Sequence, residues 1–162
     1  MREYHTQMEA ARKGIVTPEM KAVAGKERRT EEEIRNWVAE GKVVIPANPA
    51  HKGLDPNGIG STLKTKINVN LGISRDVKDY DVEMKKVLSA VDLGAEAIMD
   101  LSSHGNTQPF RRKLTSECPA MIGTVPIYDS VIHYQRDLAT LTAKDFVDVV
   151  RLHAEDGVDF VT

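Results

Sequence analysis

The alternation of apolar and polar positions changes its rhythm near Gly60. Before that point, polar stretches carry short helical stripes. Thr6 to Gly14 reads as a first helix, with Gly14 a fitting C-cap. Thr17 followed by Pro18 opens a second, because threonine caps a helix start and proline fits the first helical position. Thr30, with Glu33 three residues later, has capping-box spacing, and Ile34, Trp37 and Val38 share one face of the helix it opens. KVVIPAN reads as a strand cut off by Pro46, and IPANPAHKGLDPNGIG is too rich in Pro, Gly and Asn to continue a helix. Residues 1–60 are expected to form a helical N-terminal extension.

After Gly60, short apolar runs alternate with amphipathic stretches. The runs KTKINVNLG, GAEAIMDLS, PAMIGTVPIY and GVDFVT read as strands. Between the first two lies DVEMKKVLSAVDLG, whose Val82, Val87, Leu88, Val91 and Leu93 follow a helical stripe ended by Gly94. Further helices are expected around Gln108 to Glu117 and in LTAKDFVDVVRLHAEDG, with Thr142 as N-cap. Strand and helix in strict alternation signify α/β architecture with a parallel sheet. An open doubly wound sheet and the first four β/α units of a (β/α)8 barrel both fit. No GxGxxG or GxxxxGK[ST] follows any candidate strand, and polar residues gather at strand ends, which favours the barrel over residues 61–162. A barrel takes about 250 residues. Four strands ending in GVDFVT therefore suggest a truncated chain or half of an assembly that completes the sheet elsewhere.

Composition narrows the chemistry. The formal charge of -2 arises from interspersed acidic and basic residues, so no field forms for nucleic acid or a membrane surface. No apolar run approaches the roughly 20 residues that span a bilayer, and MREYHTQMEAARKG has no signal-peptide core, so a cytoplasmic protein is expected. Cys118 is the single cysteine, too few thiols for a disulfide or a multi-cysteine metal site. His5, His51, His104, His133 and His153 are scattered without metal-ligand spacing and read as solvated or locally hydrogen-bonded. Candidate functional residues lie after the strands: Asn68 and Asn70, Met99 and Asp100, and Tyr128. SSHGN at 102–106 is a polar turn suited to a pocket mouth, and Arg111, Arg112 and Lys113 read as a solvated helix face.

TQMEAARKGIVTPEM, GKVVIPAN, KINVNLG, AIMDLS, IGTVPIY and DGVDFVT occur in the order and approximate spacing of the N-terminal region of the ThiC family of radical S-adenosylmethionine enzymes, which the whole chain resembles. The resemblance implies a pocket for 5-aminoimidazole ribotide lined by Asn70, Met99 and Tyr128, each 29 residues from the next. An amide and a phenol can exchange hydrogen bonds with the ligand while a thioether packs on its ring. The resemblance also implies S-adenosylmethionine, an iron-sulfur cluster and a histidine-bound metal in a full-length parent, none expected in this stretch, and a homo-oligomer. Where the family's thiamin enzyme reads DLSTG and PIYQA, this chain has DLSSHGN and PIYDS. Asp129 and His104 beside the pocket lean towards the 5-hydroxybenzimidazole synthase branch, with the phosphomethylpyrimidine synthase branch and a non-catalytic ligand-binding half-barrel as alternatives.

Overall fold

The computed structural model describes residues 3–162. It divides the chain into two compact units: one runs up to Ala47 and takes in Asp55–Lys66, the other comprises Asn48–Leu54 and Ile67–Thr162. The division thus falls after Lys66 rather than after residue 60, and Asn48–Leu54 joins the second unit. Polar staples explain this exchange. The Asn48 amide N–H donates to Asp159 Oδ1 (2.8 Å), and its side-chain amide donates to the carbonyls of Ala154 and Val158. The His51 ring is wedged between the Asp159 carboxylate and the Cys118 carbonyl, 2.7 Å from each.

The first unit contains helices α1 (Gln7–Arg12), α2 (Pro18–Glu27) and α3 (Glu31–Ala39) and an antiparallel ribbon of β1 (Val43–Val44) and β2 (Ile59–Gly60). Thr6, Thr17 and Thr30 cap the three helices through their hydroxyls, and the Thr30–Glu33 capping box closes in both directions. The apolar faces meet in a core of Met20, Val23, Ile34, Val38 and Val43, with Trp37 packed against it. Gly60 is required where the ribbon closes, because a Cβ there would lie 2.4 Å from the Lys42 carbonyl oxygen.

The second unit runs β3 (Asn68–Leu71), α4 (Tyr80–Asp92), β4 (Ala97–Asp100), α5 (Gln108–Glu117), β5 (Met121–Thr124), α6 (Pro126–Tyr134), a 3₁₀ turn (Leu138–Thr140), α7 (Ala143–Glu155) and β6 (Phe160–Val161). The four strands are all parallel and stand in the order β3-β4-β5-β6. Neighbours in space are neighbours in sequence. That order lacks the reversal that marks a doubly wound sheet and agrees with consecutive units of an α/β barrel. One sheet face packs Ile98 and Ile122, flanked by Val69 and Leu71, against Met84 and Val87 of α4 and Phe110 and Leu114 of α5.

Two elements differ from the expected pattern. The α4 stripe is rotated: Met84, Val87 and Ala90 are buried, whereas Val82, Leu88 and Leu93 are exposed. Glu83, fully buried, accepts from the Gly72 N–H at 2.9 Å and from Lys86 at 2.5 Å, and these polar bonds help set which face turns inward. The run PAMIGTVPIY is not one strand. β5 stops at Thr124, and Pro126 starts α6 at its first turn.

Candidate functional site at the strand ends

Side chains alternate between sheet faces, so Asn70, Met99, Gly123 and Phe160, which are register partners across β3 to β6, lie on the face turned away from the helical core. Asn70 is exposed, and its Oδ1 accepts from Asn68 Nδ2 at 3.1 Å. Met99 is buried. Gly123 keeps the row closed: a Cβ there would lie 2.4 Å from the Phe160 ring and 3.0 Å from the Met99 sulfur. The row therefore offers an amide, a polarisable thioether and an aromatic edge side by side, a combination suited to a flat heterocycle.

Two of the three expected site residues, Asn70 and Met99, are brought together as a register pair. Tyr128 is not at a strand end. It stands in the first turn of α6, half-exposed, with its N–H donating to the Val125 carbonyl at 3.0 Å. The register partner of Met99 on β5 is Gly123, so the second interval of 29 residues is not a strand-to-strand repeat. It spans a strand, a helix, a strand and the turn into the next helix.

Behind this row lies a polar layer that the sequence hides. Asp100 is buried, and its Oδ1 accepts from the Ser102 N–H (2.9 Å) and hydroxyl (2.5 Å), while Ser102 Oγ accepts from the Ile73 N–H (3.0 Å). Burial pushes the Asp100 carboxyl above the usual range. Ser102 thus ties two loops together instead of lining a pocket mouth. Arg111, expected on a solvated face, is 3% exposed and reaches both Asp156 (2.9 Å) and Asp129 (3.2 Å). Arg112 also pairs with Asp156, at 2.6 Å.

Asp129 is the centre of this layer. Its Oδ1 accepts from the Thr107 hydroxyl at 2.7 Å, and its Oδ2 lies 2.9 Å from His153 Nε2. The other ring nitrogen of His153 lies 2.8 Å from Thr124 Oγ1. Burial by itself would raise the Asp129 carboxyl, but the bonds from His153 and Thr107 and the Arg111 charge overcome it and hold the group at about 2. Asp129 is consequently a largely buried carboxylate held by His153, Thr107 and Arg111, and it also lines a cavity of about 290 Å³ together with Gly105, Asn106 and Thr107. His51 and His153 are likewise interior, hydrogen-bonded through both ring nitrogens.

The donor set does not fit an iron-sulfur cluster. Cys118 is the one cysteine, it is buried, and burial pushes its thiol up. Among the described residues no group of three or more His, Cys, Asp or Glu side chains is placed to hold a metal ion. Neither group is assigned a role in these residues.

A parallel sheet of consecutive β/α units, with polar and thioether side chains gathered at one end, makes this an α/β protein consistent with part of a barrel. More specifically, the chain belongs to the radical SAM ThiC family, whose model matches residues 6–162. It is 61% identical over 160 residues to a phosphomethylpyrimidine synthase of Alkaliphilus oremlandii, covering 99% of this chain and 37% of that protein. Phosphomethylpyrimidine synthases of Alkaliphilus metalliredigens and Clostridium kluyveri are 58% and 55% identical, each covering 98% of this chain and 36% of the relative. The chain thus spans little more than a third of the length of these curated relatives.

Proposed function

We propose that this chain is the N-terminal part of a phosphomethylpyrimidine synthase, a radical S-adenosylmethionine enzyme that rearranges 5-aminoimidazole ribotide in thiamin biosynthesis. The family match carries this reading, and the adjacency of Asn70 and Met99 across β3 and β4 supports a binding site at that sheet face. In this reading Asn70 hydrogen-bonds the heterocycle or ribose, Met99 packs on the ring, and Tyr128 approaches from α6 with its phenol. S-adenosylmethionine and the iron-sulfur cluster belong to the full-length protein, with ligands outside this chain.

The relatives favour the pyrimidine branch over the 5-hydroxybenzimidazole branch. The 5-hydroxybenzimidazole reading rests on Asp129 and His104, and the engagement of the Asp129 carboxylate by His153, Thr107 and Arg111 speaks against the first of these as a charge free to face the ring. Further β/α units of the longer protein complete the barrel in this reading. β3 is a sheet edge, and beside it an apolar groove of about 620 Å³ is lined by Ile67, Val69, Val82, Ala90, Leu93 and Ala95. A strand added at that edge with its helix would cover both. No helix among the described residues is long and apolar enough to cross a membrane, and a cytoplasmic location accords with the proposed biosynthetic role.

The test is an anaerobic reaction of the full-length protein with 5-aminoimidazole ribotide and S-adenosylmethionine, resolved by chromatography. Hydroxymethylpyrimidine phosphate as the main product is expected. 5-Hydroxybenzimidazole would overturn the branch, and an unreacted ribotide with intact cluster would overturn the activity.

A further inference from the structure

We propose that His153 is a positioning residue for Tyr128: its two ring nitrogens tie together both ends of the turn that carries the tyrosine out of β5 and into α6. This rests on the reading of Tyr128 as a ribotide contact. Pro126 suits the first turn of α6, but Val125 supplies no side-chain cap, so the N–H groups that follow gain no support from the N-cap side chain. Local support for the helix start comes from the Ser130 hydroxyl donating to the Pro126 carbonyl at 2.8 Å.

His153 supplies the long-range support. Thr124, the last residue of β5, and Asp129, directly after Tyr128, flank the turn, and the His153 ring contacts both, at 2.8 and 2.9 Å. Asp129 is an ionised acceptor, so Nε2 carries the hydrogen in that bond. Nδ1 on the other side of the ring meets the Thr124 hydroxyl. The ring itself is immobilised: it is 2% exposed, on the face of α7 that also buries Val149. From the opposite side, Thr107 and Arg111 fix the same Asp129 carboxylate. Tyr128 keeps a free, half-exposed side chain on a backbone held at both ends.

A double-mutant cycle in the full-length protein distinguishes positioning from general support of the fold. The equilibrium affinity for 5-aminoimidazole ribotide is measured for Tyr128→Phe, His153→Ala and the pair. Tyr128→Phe should weaken binding about tenfold, the loss of one hydrogen bond to ligand. His153→Ala should weaken it about fivefold in the parent but less than about twofold in the Tyr128→Phe background, because coupled residues are non-additive. His153→Gln, which keeps one donor and one acceptor, should restore most of the loss. Should His153→Ala fail to fold, Thr124→Val, nearly isosteric and removing only the hydroxyl, takes its place in the cycle. Equal losses in both backgrounds, or none in the parent, overturn the positioning role while leaving the Tyr128 contact standing. Unchanged binding by Tyr128→Phe alone overturns the contact, and the positioning role with it.

Discussion

Asp129 and His51 are both interior ionisable groups, yet they shape stability with opposite signs. Asp129 is held at about 2, so its contribution is complete above the unfolded carboxylate value near 4 and is lost as pH falls through about 2. Asp129→Asn leaves Arg111 and His153 facing a neutral amide and should cost about 2–4 kcal/mol by urea titration near pH 7, shrinking towards zero at pH 2. A cost under about 0.5 kcal/mol would mean the carboxylate is not paired as described. Burial would lower the His51 value, but the Asp159 carboxylate and the Cys118 carbonyl raise it. Its contribution is therefore full below about 6.5 and is lost as pH rises through the higher folded value. The stability difference between the parent and His51→Ala should narrow between pH 6 and pH 9; a difference constant over that range contradicts the assignment. That Asn70 and Met99 stand on neighbouring strands was legible because each lies in a short apolar run, whereas their role in a pocket came from the resemblance alone. The Arg111–Asp129–His153 cluster was not legible, because it forms only where three helices converge, and nothing in local sequence marks a histidine and an arginine more than forty positions apart as neighbours.

Several helix starts were legible because a threonine side chain caps the backbone, although the Asp79 cap of α4 was missed. Thr6, Thr17, Thr30 and Thr142 each accept from an N–H within their own helix start, a local interaction that depends on a few adjacent residues. α6 was hidden because its uncapped start lies inside an apolar run, where a buried strand and a buried helix look alike. The same blindness misplaced Tyr128 at a strand end. Tertiary packing also rotated α4, which no stripe of apolar residues foretold while a buried glutamate held its inner face. The close row across the sheet gives a prediction at this scale. Gly123→Ala places a methyl group within 2.4 Å of the Phe160 ring, which must swing aside. Overpacking of this kind should cost about 1–3 kcal/mol in a thermal or urea melt. An unaltered stability would show that Phe160 does not close over Gly123.

For the whole molecule, the sequential parallel sheet agrees with part of a barrel, where periodicity left two architectures open because both use the same strand-helix alternation. The β3 edge and its apolar groove belong to the surface that further units would cover. Amides of β3 should therefore exchange faster in the 162-residue chain than in the full-length protein, when followed by hydrogen exchange. Equal protection in both would contradict closure at that edge. The account centres on one claim, that the strand-end row with Asn70 and Met99 binds 5-aminoimidazole ribotide, and calorimetric titration of the full-length protein with the ribotide tests it most directly. Asn70→Ala should weaken binding about tenfold, equivalent to about 1.4 kcal/mol, with an unchanged melting temperature. Affinity within about twofold of the parent would contradict the claim.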